Sequence, residues 1–149
     1  MIVVMKTSAL FICGWLLAAS LGATAAPCQP RFEAGWIRLP AQSAMPMAAG
    51  FGRFVNRCAA PAEVVSVVSP VFGDVSMHQT TQADGVSRMR EVSTLTLPAD
   101  GAVELRPGGL HLMLMQPAQP LRAGQRLPLT FRLRDGAQIY AELEVRPNP

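Results

Sequence analysis

The stretch Leu127–Val145, LPLTFRLRDGAQIYAELEV, decides the fold class. Leu129, Phe131 and Leu133 fall on one side of an extended chain, and Thr130, Arg132 and Arg134 on the other. Successive strand side chains point to opposite faces, so this is an antiparallel strand with one face in a core and one in water. Asp135-Gly136 supplies a turn signal, and AQIYAELEV returns as the second arm of a hairpin.

The same grammar runs back along the chain. Short strand-like runs appear at WIRL (36–39), FGRFVNR (51–57), EVVSVVSP (63–70), DVSMHQT (74–80) and SRMREV (87–92), then at STLTLP (93–98), AVELRP (102–107) and LHLMLM (110–115). Gly, Pro and Asp turn signals separate them, and Asp84-Gly85 marks another hairpin. PAQSAMPMAAG (40–50) reads as a loose segment, with Met45 and Met47 flanking Pro46 in a solvated loop; a transient metal contact is the alternative role for these two. No segment sustains a helical apolar period outside the N-terminus. The expectation is an all-β fold of seven to nine short strands.

The N-terminus is set apart. Lys6, the apolar run LFICGWLLAAS and the small residues of LGATAA follow the order of a secretory signal, with cleavage expected after Ala25. The apolar run is short for a span of about 20 residues. A lipoprotein signal needs a small residue before its cysteine, whereas Ile12 precedes Cys13 and Pro27 precedes Cys28. The expected division is a signal peptide at 1–25 and one domain at 26–149, with no membrane attachment once the signal is cleaved.

Charge and cysteine content narrow the function. Lys6 is the only lysine, so the remainder carries 12 Arg against 10 acidic residues, scattered without a basic block. That argues against nucleic-acid binding. Cys28 and Cys58 are an even pair in an exported chain and point to a disulfide. The alternative is two free thiols, one of them a metal ligand. Neither has a CxxC partner, which disfavours a thiol–disulfide enzyme.

The unusual residues lie on LHLMLM. Leu110, Leu112 and Leu114 share one strand face, and His111, Met113 and Met115 the other. The only other histidine is His78. Thioethers are soft, neutral donors that favour Cu(I) over zinc, calcium or magnesium, and imidazole adds a stronger donor that either copper oxidation state accepts. Such a site survives an oxidising compartment where thiolates are lost. It also weakens in acid, because imidazole ligates only when neutral.

His78, ten residues, Met89, twenty-one residues, then His111-Leu112-Met113 give H-x10-M-x21-H-x-M. That spacing resembles the signature of the periplasmic copper chaperone family PCu(A)C. The flanks resemble it too: GWIRLP, VSPVFGDVSMHQ, DGVSRMR, LPADGAVELRPGGLHLMLM and QPLRAGQRLPLTF, from Glu33 to Val145. The resemblance implies a cupredoxin-like, Greek-key β-barrel or sandwich. It implies one Cu(I) held by His78, Met89, His111 and Met113. It also implies a non-enzymatic, monomeric periplasmic protein that delivers copper during cytochrome oxidase assembly, to the CuA subunit or through a Sco-type partner. Met115 and Met77 are auxiliary donor candidates, Met77 expected on the opposite face from His78. Cys28 and Cys58 stand outside the motif. Blue-copper electron transfer is disfavoured because no cysteine lies near the cluster in sequence. A copper enzyme lacks a supporting carboxylate at fixed spacing. The remaining alternative is an exported β-sandwich interaction module without stoichiometric metal.

Overall fold

The computed structural model describes residues 27–42 and 45–147. The expected signal peptide lies outside the described residues. Ten strands form: β1 (Arg31–Arg38), β2 (Met47–Asn56), β3 (Ala62–Val68), β4 (Phe72–Ala83) and β5 (Val86–Glu91), then β6 (Leu95–Leu97), β7 (Gly101–Leu105), β8 (Leu110–Pro117), β9 (Arg126–Leu133) and β10 (Gln138–Arg146). The fold is all-β, with one strand more than the upper sequence expectation.

The strands make one sheet in the order β5-β4-β8-β2-β1-β10-β9-β3-β6, with β7 paired to β2. The long β2 is shared along one edge. Its first half, Met47–Gly50, pairs with β8, and its second half, Gly52–Asn56, pairs with β7. All neighbours are antiparallel except β1 and β10. The sheet curls until β3 meets β4, and a single apolar core fills the interior. Phe54 and Phe131 are fully buried there, and Phe32 packs with its ring centroid 4.8 Å from each. Gly52 leaves the space Phe32 needs, since a Cβ there would collide with the Phe32 ring.

Both expected hairpins form. Asp84 and Gly85 have φ of 54° and 75°, the left-handed pair a tight two-residue hairpin requires. Gly136, at φ 89°, turns β9 into β10. The reading of 40–50 as wholly loose is corrected, because Met47–Gly50 is the first part of β2. Ala48, Ala49 and Gly50 carry little strand propensity of their own; pairing with β8 on one side and β1 on the other holds them extended.

A bulge reshapes β1. The register with β2 shifts between Glu33 and Trp36, and Ala34 sits at φ 52°. An extra residue inverts the alternation beyond it. Phe32 therefore faces the core and so does Ile37, while Trp36 turns outward onto Phe51, 4.6 Å between ring centroids.

The Cys28–Cys58 disulfide forms, with Cα atoms 5.7 Å apart. It ties the segment before β1 to the turn after β2. Asn56 organises that turn. Its buried side-chain amide donates to the carbonyls of Ala60 and Pro98, both at 3.0 Å, and its Oδ1 accepts from the Cys58 N–H at 3.1 Å.

Candidate metal centre

Alternation and register fix which side chains meet. On β8, Leu110, Leu112 and Leu114 are buried in the core, so His111, Met113 and Met115 face outward. On β4, Val75 and Met77 are buried, so Asp74, Ser76 and His78 share the outer face. The β4–β8 register sets His78 directly opposite His111, Ser76 opposite Met113 and Asp74 opposite Met115. On the far side of β8, Ala49 opposes Met113 and Met47 opposes Met115. Directly opposed residues share a face and lie close enough to interact.

The two imidazoles lie side by side, with ring centroids 6.1 Å apart and planes inclined by 31°. Metal–imidazole nitrogen bonds are about 2 Å long, so rings at this spacing can share one ion when a nitrogen of each is turned towards the other. His111 is 7% exposed despite its outward direction, because Phe51 covers one side, 6.5 Å between centroids. Its Nδ1 lies 2.9 Å from the Gly109 carbonyl oxygen. A carbonyl only accepts, so Nδ1 carries a proton, and Nε2 is the nitrogen left to ligate when the ring is neutral. Backbone contacts of this kind orient metal-binding histidines. His78 Nε2 lies 3.0 Å from Ser76 Oγ.

Met89 enters from β5. It pairs with Thr80, two residues from His78 on the same face of β4, and is 54% exposed. That makes it a diagonal neighbour of His78, within reach of a flexible thioether. Met113 is half-buried beside the Ser76 rung. His78, Met89, His111 and Met113 therefore lie on one face across three adjacent strands. Met115 extends that face. Met77 does not share it: at 4% exposure it packs in the core, opposite Leu112.

The surroundings add residues that the sequence pattern did not single out. Arg38 places its guanidinium 5.2 Å over the Phe51 ring and 6.0 Å from the Trp36 ring, a cation–π arrangement beside the imidazoles. Its buried Nε has no hydrogen-bond partner. Ser76 had a legible signal, two residues before His78 on the same strand. Trp36 and Arg38 had none, because their direction depends on the β1 bulge. Cys28 and Cys58, the two cysteines among the described residues, are joined in the disulfide, so neither offers a thiolate. Among the described residues no three His, Cys, Asp or Glu side chains gather as a metal site. The candidate donors are imidazole and thioether, a set that favours a soft ion over hard cations.

This fold is that of PCuAC (PCu(A)C) domains. The apo PCuAC domain of PmoF1 matches with a TM-score of 0.68 at 20% identity, covering 83% of this chain and 98% of that one. The copper-bound PCuAC domain of PmoF2 gives 0.66 at 18%, covering 83% and 97%. The Cu(I) form of DR1885 from Deinococcus radiodurans gives 0.62 at 26%, covering 88% and 86%.

By sequence, residues 31–145 match the family described as "Putative lipoprotein LpqE-like", and the chain belongs to that family. A relative from Leifsonia xyli subsp. xyli, named "Putative lipoprotein Lxx21020", is 37% identical over 101 residues, covering 67% of this chain and 61% of its own length. An uncharacterised protein of Rickettsia prowazekii, RP573, is 30% identical over 84 residues, covering 56% and 46%. The aligned region thus spans about half to three-fifths of these curated relatives.

Proposed function

We propose that the protein is an exported, non-enzymatic copper carrier. It binds one Cu(I) tightly through His78, Met89, His111 and Met113 and passes it to an acceptor. The observation that carries this reading is the His78–His111 rung, with Met113 and Met89 on the same outer face. The copper-bound PmoF2 domain and the Cu(I) form of DR1885 support it, as proteins of the same fold that hold this cargo.

The geometry suits delivery. The four donors are uncharged and come from an open sheet face. An acceptor's ligands can replace them one at a time, so the ion is never released bare. Met89, the most exposed, is the first to yield. Thioethers hold copper less firmly than thiolates, which favours handing it on. The acceptor is a copper protein of the cell envelope, the CuA subunit of cytochrome oxidase or a Sco-type relay. The disulfide and the lipoprotein description of the family fit export to the periplasm. Cys28, engaged with Cys58, has no free thiol for acylation. Among the described residues no helix is long and apolar enough to cross a membrane. Cu(II) is a second cargo that the two imidazoles can accept.

Anaerobic Cu(I) titration against a competing chelator tests the reading. The tight equivalent should vanish in His111→Ala and in Met113→Ala. Unchanged tight binding in both variants removes the proposal.

A further inference from the structure

The outer face does not end at the His78–His111 rung. Moving along β8 towards its C-terminal end, the next rung is Ala49–Met113–Ser76, and the one beyond is Met47–Met115–Asp74. Met47 and Met115 are direct cross-strand partners. Such partners have Cβ atoms about 5 Å apart, and unbranched thioether arms can close on one ion from that distance. Met113 stands one rung away, about 7 Å along the strand. A surface groove of about 300 Å³ opens here, lined by Arg38, Met45, Met47, Ala49 and Met113. Met47 is 36% exposed, so its sulfur is accessible from solvent.

We propose that Met47 and Met115 form a second, weaker Cu(I) site, a thioether-only staging position one rung from Met113 of the His78–His111 centre. The inference rests on the copper reading only for the identity of the cargo. Packing alone does not account for these residues, because the core lies on the other side of both strands. Thioethers without an imidazole bind soft monovalent ions and little else. Asp74, at the end of the rung, places a carboxylate beside the incoming positive charge. Arg38 lines the same groove, but its guanidinium lies over the Phe51 and Trp36 rings. A Cu(I) ion held by Met47 and Met115 is one rung from Met113. It can move to the imidazoles by exchanging one sulfur at a time, with no change of oxidation state and no proton released.

The test is anaerobic Cu(I) titration of the protein carrying 13C-methyl methionine, followed by methyl NMR with a chelator as competitor. Wild type is compared with Met47→Leu/Met115→Leu, a substitution that keeps side-chain volume. The expected result is two bound equivalents. The first shifts the Met89 and Met113 methyl signals, and the second shifts Met47 and Met115. The double variant should lose only the second equivalent. Saturation at one equivalent, with Met47 and Met115 unmoved under excess copper, overturns this inference and leaves the tight site standing. Copper bound at Met47 and Met115 but not at the imidazoles supports the staging site and removes the principal one. No binding at all overturns both.

Discussion

The two faces of β8 share one backbone and differ in what they do. Leu110, Leu112 and Leu114 are sealed in the core, while His111, Met113 and Met115 line the outer face with His78 and Ser76. The two histidine-face methionines are close in size to the leucines that alternate with them, so volume does not distinguish the faces; donor chemistry does. The same contrast separates Met77 from Met89. Met77 is 4% exposed and serves as core filler, whereas Met89 on the neighbouring strand is 54% exposed and packs little. A methionine's role here is set by the parity of its strand position, which composition does not reveal.

Substitutions on the core face should alter stability and spare the donors. Leu112→Ala should produce the largest loss. Its side chain is fully buried between β2 and β4, and truncation costs about 2–5 kcal/mol through lost transfer energy and the cavity left behind. Chemical denaturation followed by circular dichroism reads this directly. At temperatures where the variant remains folded, copper affinity should be unchanged. A copper loss matching that of Met113→Ala would break the separation of the faces.

Reduction of Cys28–Cys58 comes next. The bond closes a loop of 30 residues in sequence separation, and chain entropy puts its contribution at about 3.6 kcal/mol. The bridge anchors the segment before β1 to the turn after β2, apart from the His and Met side chains. Reduction, or Cys28→Ser/Cys58→Ser, should lower the melting temperature while leaving the Cu(I) stoichiometry intact. A change in stoichiometry would mean that the copper site depends on the anchored start of β1, through the bulge that orients Trp36 and Arg38.

Much of this was readable from residue order, because strand parity is local. LTFRLR and LHLMLM declare their faces with no partner strand in view, and Asp84-Gly85 and Asp135-Gly136 mark hairpins by turn chemistry alone. That His111 and Met113 share a side follows from their spacing. That His78 lies opposite His111 does not, because register between β4 and β8 is a property of the assembled sheet. The first half of β2 was illegible for the same reason, since Pro46 and the small residues after Met47 resemble a loop until β8 and β1 pair with them. The β1 bulge at Ala34 has no sequence signal of the kind a glycine gives, and it alone sends Trp36 and Arg38 to the face that carries His111 and Met113.

The smallest expected stability change is the most informative about the outer face. Met89→Leu keeps volume at an exposed position on β5, so folding free energy should move by no more than about 0.5 kcal/mol. Thermal unfolding of the copper-free protein checks that figure. Copper retention should nevertheless fall, because leucine removes one sulfur and replaces it with a carbon that cannot donate. Competition with a Cu(I) chelator reads that loss, and the same substitution at Met77 provides the control. Met77→Leu changes a buried methionine on the opposite side of β4 and should cost up to about 1.5 kcal/mol while leaving copper affinity intact. If Met77→Leu weakened copper as much as Met89→Leu, parity would not be assigning the methionines their roles, and β4 would have to present its donors in another register.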